Sequence, residues 1–145
     1  MHRFLSVAAL TLILAAGCGE GSTEPVDPRA AAAGTYSLAS YNSASLPALY
    51  FQNSAGRIDV ISGSMVLRAD GSFTETINLR TTYTSGGSPE NTPIVENGTF
   101  AVTGTQITFT LPPSGSAGGF SWTGAISGNV VTYTYDGDAW RYQKS

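Results

Sequence analysis

From residue 34 to the end of the chain, apolar side chains recur at every second position and almost never at the spacing of a helix. Such alternation places successive side chains on opposite faces of a pleated strand, so one face of each run is committed to a core. The runs are short and bounded by Gly, Pro, Asn and Asp. They predict strands over residues 34–41, 57–61, 63–69, 72–83, 94–102, 105–111, 120–127 and 130–135, with a closing strand that carries Trp140 and Tyr142 on one face. Residues 45–51, around Pro47, are expected to form a loop with a helical turn. Asp70-Gly71 predicts a type I′ hairpin, which needs positive φ at both central residues. Thr103-Gly104, Gly128-Asn129 and Asp136-Gly137-Asp138 mark further turns, and residues 85–93 and 112–118 read as exposed loops.

Tight hairpins make neighbouring strands antiparallel. The expected fold is therefore all-β, an up-and-down meander of about eight strands. Left open, such a meander exposes two edges and an apolar face, and closure into a small barrel removes both. A β-sandwich is the alternative, but it calls for longer crossover connections than this chain offers.

Composition excludes several chemistries. Charged residues make up only 12% of the chain and the formal net charge is −3, with no basic cluster to displace counterions from a phosphate backbone, so no nucleic-acid partner is expected. The chain has one cysteine, Cys18, and one histidine, His2. Histidine-dependent triads, Cys/His dyads and ordinary zinc sites need more than this, and no catalytic residue, metal or cofactor is expected. A Ser-Lys dyad would have to use Lys144, at a terminus expected to be disordered.

The N-terminus reads as an address. Met1-His2-Arg3 is a short positive start, and residues 4–16 are uncharged and mostly apolar. As a helix that run would rise about 20 Å, short of the roughly 30 Å hydrocarbon core, so it fits a signal-peptide core better than a membrane span. It ends in Leu14-Ala15-Ala16-Gly17-Cys18, which resembles the lipobox of bacterial lipoproteins. The resemblance implies cleavage before Cys18, a lipid-modified thiol with palmitate-type acyl chains, and attachment of the protein to the cell envelope through them. Gly19 stands where an inner-membrane retention aspartate would be, which implies the outer membrane in a Gram-negative host. Residues 19–33 are rich in Gly, Ser, Pro, Ala and acids and read as a tether that cannot bury enough apolar surface to order itself. The expected organisation is a signal peptide (1–17), an acylated cysteine with a flexible linker (18–33), and a barrel domain (34–145).

A second resemblance rests on an ordered set of motifs. Gly34-Thr35-Tyr36-Ser37-Leu38 opens the domain, followed by Leu46-Pro47-Ala48, the run from Gly63 through Ala69-Asp70-Gly71 to Phe73, Gly98-Thr99-Phe100, Ile107-Thr108-Phe109, Gly124 to Asn129, and Trp140. Together they resemble the small lipocalin-like domains of bacterial lipoproteins. The resemblance implies an eight-stranded, roughly closed barrel with an internal cavity and brings no catalytic motif with it. Tyr36 replaces the tryptophan usual in the opening motif, and no C-terminal helix follows.

Glu75 falls in phase with Phe73, Ile77 and Leu79, so strict alternation points it inward. A buried carboxylate needs a partner or a raised pKa. It reads either as a polar contact inside a ligand cavity or as a group at a barrel mouth, at a bulge, or paired with an inward arginine. Phe100, Phe109, Phe120, Trp122, Tyr133, Tyr135 and Trp140 form an in-phase aromatic set, which reads either as a cavity lining or as packed core. The expected lining is Glu75, Phe100, Phe109, Trp122, Tyr133 and Trp140. Asp136 and Asp138 flank a turn glycine but supply too few oxygens for calcium. Two functions follow for a monomeric domain tied to the membrane at Cys18. One is a module that holds a small apolar ligand; the other is a non-catalytic interaction protein with a solid barrel. A connected cavity of roughly 300 Å³ or more separates the two.

Overall fold

The computed structural model describes residues 25–115 and 118–145. The expected signal peptide, Cys18 and the first part of the expected tether, to residue 24, lie outside the described residues. A short helix, α1 (Pro28–Ala32), precedes ten strands: β1 (Gly34–Tyr41), β2 (Ala44–Ser45), β3 (Ala48–Gln52), β4 (Gly56–Leu67), β5 (Ser72–Tyr83), β6 (Glu90–Thr103), β7 (Gln106–Leu111), β8 (Phe120–Ser127), β9 (Val130–Tyr135) and β10 (Asp138–Lys144).

Strands β4 to β10 follow one another as an antiparallel meander, and β1 closes it by pairing with both β10 and β4. The barrel thus has eight strands, with β2 and β3 as extra strands on β1 and β4. Closure is uneven. The β1–β4 ladder runs only from Gly34↔Leu67 to Ser37↔Ser64. Beyond it, β1 turns to β2 through Ser40↔Ser45, while β4 is paired by β3 through Ala48↔Val60. One end of the barrel is therefore sealed by main-chain hydrogen bonds and the other is splayed.

The sealed end is solid. Tyr36, Leu67, Phe73, Phe109, Ile107 and Val131 are at most 2% exposed there. Phe73 meets Phe109 edge-on at 5.1 Å between ring centroids, and Phe109 stacks on Trp122 at 5.3 Å. Two inward positions are glycine for steric reasons. A Cβ at Gly98 would stand 2.8 Å from the Phe73 ring, and one at Gly124 would stand 2.8 Å from the Tyr133 Cβ. Helix α1 adds to this end. The Asp27 carboxylate caps it by accepting the Arg29 N–H at 2.9 Å, Pro28 opens its first turn, and the Tyr36 hydroxyl donates to the Ala32 carbonyl at 2.7 Å. The tether expected to run to residue 33 therefore gives way at Pro28 to a helix that buries Ala32.

Local details depart from the sequence reading in further places, among them the loop expected over residues 85–93, whose last four residues open β6 instead. Residues 57–61 and 63–69 are not two strands but one, β4, whose register shifts between Val60 and Ser62. The extra residue, Ile61, moves the inward face from even to odd positions, which mimics a break between strands. Around the cis Leu46-Pro47 peptide, residues 48–52 form strand β3 and no helical turn. The Asp70-Gly71 hairpin is not type I′: Gly71 has φ +86° but Asp70 does not share the left-handed region. Arg68 and Ser72 instead close a three-residue loop through Arg68 N–H to Ser72 O at 2.9 Å, with Asp70 accepting from the Ser72 N–H at 2.8 Å. Among the described residues, positive φ at two successive residues occurs at Asn42-Ser43, Gly86-Gly87 and Asp136-Gly137. Lys144 is not disordered but ends β10, with its ammonium 5.6 Å from the Tyr36 ring centroid.

The solid and splayed ends should respond differently to truncation. Phe109→Ala is expected to cost about 3–5 kcal/mol of unfolding free energy. Phe120→Ala, at the splayed end and 40% exposed, is expected to cost about 1 kcal/mol or less. Urea denaturation of both variants measures the contrast, and equal losses would contradict the division of the barrel.

Candidate functional site

Above the solid half lies a cavity of about 350 Å³, open at the splayed end. Its floor and walls come from alternate positions of six barrel strands: Glu75, Ile77 and Leu79 of β5, Ile94 and Glu96 of β6, Leu111 of β7, Phe120 and Trp122 of β8, Tyr133 and Tyr135 of β9, and Trp140 of β10. Tyr50 of the extra strand β3 completes the wall on the side where β1 and β4 part.

Glu75 lies at the boundary between solid and hollow. It is 2% exposed. Across the barrel, the Tyr133 hydroxyl donates to its Oε1 at 2.6 Å, and the Tyr142 hydroxyl donates to the same oxygen. The two tyrosine rings stack, with an interplanar angle of 16°. No hydrogen bond reaches Oε2 from the described residues. The carboxyl group is held by two neutral donors, so the inward arginine considered from the sequence is not its partner.

Burial raises the pKa of Glu75 above its ordinary value; the two tyrosine hydrogen bonds oppose the shift, and Glu96 adds to it. Glu96 is the direct register partner of Glu75. It is half-buried, and burial raises its pKa as well. Burial, joined by the nearby carboxylate, pushes the hydroxyls of Tyr133 and Tyr142 far above the usual phenol range, so both remain proton donors. The lining contains no Lys, Arg or His.

Trp122, 9% exposed, forms part of the cavity wall. Its indole N–H is buried and has no acceptor among the described residues. A buried donor left unpaired costs about 1–3 kcal/mol. Its rings are otherwise well supported, stacked between Phe109 and Phe120.

Of the six residues expected to line a cavity, the structure brings four together there: Glu75, Trp122, Tyr133 and Trp140. Phe100 and Phe109 are instead buried in the solid half. They share the inward face but sit lower in the barrel. Glu96, Tyr142 and Tyr50 were not singled out from the sequence. Parity alone would have found Glu96, which shares its phase with Phe100 and Val102. Asp138 is engaged by Asn42, whose side-chain amide donates to it at 2.9 Å, and no cluster able to hold a metal occurs among the described residues. No helix among the described residues is long and apolar enough to cross a membrane.

No protein-family model, curated protein or solved structure matches this chain.

The raised pKa of Glu75 sets a pH dependence. The folded chain holds this proton to a higher pH than the unfolded chain, whose carboxyl titrates near 4.5. Between those two values the folded state binds more protons, so stability is greatest below the unfolded value and falls as pH rises through the folded one. Glu75→Gln is expected to retain both tyrosine hydrogen bonds and to lose less stability than the unsubstituted chain between about pH 5 and about pH 8. Tyr142→Phe removes one donor from a buried acceptor and is expected to cost about 1–3 kcal/mol. Denaturant titrations at both pH values test the two variants together; a Glu75→Gln chain with an unaltered pH slope would contradict the assignment.

Proposed function

We propose that this chain is a lipocalin-like lipoprotein of the cell envelope that holds a small, largely apolar ligand in its barrel. The observation that supports the reading is the 350 Å³ cavity, lined chiefly by aromatic and aliphatic side chains and open at one end. Protein interiors are packed to crystal-like density, and an eight-stranded barrel can be filled by its own side chains. This one is filled only in its sealed half. A cavity of this size falls within the range of small-molecule sites, which combine apolar walls with a few convergent polar groups. Here the polar groups are Glu75, Glu96, Tyr133 and the Trp122 N–H.

The anchor is the second part of the proposal. Acyl chains on Cys18 contribute about 0.8 kcal/mol per buried methylene, so two or three chains hold the protein stably at the membrane. Residues between Cys18 and α1 then let the barrel stand off the bilayer. In a Gram-negative host the outer membrane is the expected site. The protein acts as a monomeric binder without catalytic residues or cofactor.

Two measurements test these parts separately. Native mass spectrometry of the protein purified from its own host is expected to show a co-purifying small molecule; its reproducible absence, with the barrel folded, argues for a non-catalytic interaction protein instead. Metabolic labelling with a fatty-acid analogue is expected to mark the chain and to lose the mark in Cys18→Ser. Label that survives the substitution would refute the anchor.

A further inference from the structure

We infer that the cavity takes a small organic cation, an amine or quaternary ammonium on an aromatic or apolar body that carries a hydrogen-bond acceptor. This rests on the ligand-holding reading above and names the chemical class of its ligand.

Charge is the first ground. Glu75 and Glu96 face each other across the β5–β6 ladder as register partners, and both belong to the cavity wall. Directly opposed residues on one face of a sheet have Cβ atoms about 5 Å apart, and like charges so placed repel. No cationic side chain of the lining offsets them. The chain has seven Lys and Arg residues in all, none of which belongs to the cavity lining, and three of them are engaged elsewhere: Arg29 on Asp27, Arg57 on Asp59, Lys144 over Tyr36. Two carboxyl groups kept in a hollow interior without a counter-charge are an electrostatic vacancy that a cation fills and an anion cannot enter cheaply.

The walls supply the second ground. Tyr133 and Trp140 stack with ring centroids 6.2 Å apart, and Trp122 stacks on Phe120 at 5.5 Å. Ring faces carry negative electrostatic potential and attract an ammonium group placed within about 6 Å, the physics of aromatic cages for quaternary ammonium ligands. A merely apolar ligand would be served equally by aliphatic walls and would leave both carboxyl groups desolvated and unused.

Independent of both is the Trp122 indole N–H, buried in the wall and without an acceptor among the described residues. Polar groups in native interiors are nearly always paired, and an orphan at a cavity wall fits a partner that arrives with the occupant. An oxygen acceptor on the ligand body satisfies it.

Both tryptophans of the chain line this cavity, so their fluorescence reports its occupancy directly. The test uses the full-length chain and three probes that share a 4-hydroxyphenylethyl body: tyramine (cation), tyrosol (neutral) and 3-(4-hydroxyphenyl)propanoate (anion). Selective tryptophan excitation during titration is expected to show saturable binding of tyramine, at least about tenfold tighter than tyrosol. The anion should bind weakest. In the Glu75→Gln/Glu96→Gln chain, tyramine should fall to within about twofold of tyrosol, whose continued saturable binding shows the cavity intact. Should the double variant not fold, Glu96→Gln alone, at the half-buried wall position, is expected to remove part of the tyramine preference. Tyrosol or the anion binding as tightly as tyramine, or a tyramine preference that survives the substitutions, overturns the cation inference and leaves the ligand-holding reading standing. Absence of any fluorescence response to all three probes overturns both.

Discussion

The ladder from Gly34↔Leu67 to Ser37↔Ser64 is the contact on which the rest of the barrel depends. Apart from the β1–β10 ladder, which joins the two ends of the domain, every other strand pairing follows from a local hairpin between consecutive segments. This one joins the first strand of the domain to β4 and removes the two open edges that a meander would otherwise expose. Because it is short, it seals one end only. Past Ser37, β1 and β4 take different partners, and the gap between them is bridged by β2 and β3. The same ladder therefore accounts for the dense aromatic core at one end and for the opening at the other.

At the level where the core stops, the chain places a carboxyl group. Burying an ionised carboxylate is costly, and the molecule meets that cost in two ways. Two hydroxyls converge on Oε1, and burial favours the protonated form. Neither device uses a positive charge. An arginine would have stabilised the ionised form more strongly, but it would also have filled the space above Glu75. Tyr133 and Tyr142 approach from the opposite side of the barrel, through stacked rings that already belong to the core, and so leave the second oxygen and the cavity clear.

How much of this was legible in the sequence follows from what alternation encodes. Period-two patterning specifies which face a side chain takes, so the inward course of Glu75, Trp122, Tyr133 and Trp140 could be read directly. It does not specify height along the barrel. Strands tilt by about 35–45° to the barrel axis, so a row of register partners climbs as it crosses from strand to strand. Phe100, Phe109 and Trp122 are successive partners in one such row. The row begins in the solid end and reaches the cavity wall at Trp122, which is why two expected lining residues are core. Parity also fails wherever a bulge intervenes, as at Ile61, where one extra residue made a single strand look like two. The Asp-Gly pairs show the limit of turn chemistry. The dipeptide at residues 136 and 137 adopts positive φ at both positions, whereas Asp70 spends its carboxylate on Ser72 and leaves positive φ to Gly71 alone. The short helix α1 was hidden because its stability lies in a cap and in a tertiary contact with Tyr36, neither of which periodicity records.

A barrel built in two halves separates the demands of stability from those of binding. The residues that must be large and tightly packed, Phe73, Phe109 and Ile107, lie below Glu75, where closure is complete. Those that face the opening contribute less to holding the fold and can vary without unsealing it. Such an arrangement lets rings, carboxyl groups and an unpaired donor stand together in a hollow that would be destabilising in a smaller or fully closed core. The cost of leaving them unsatisfied falls on one end of the molecule, and the density of the other end offsets it.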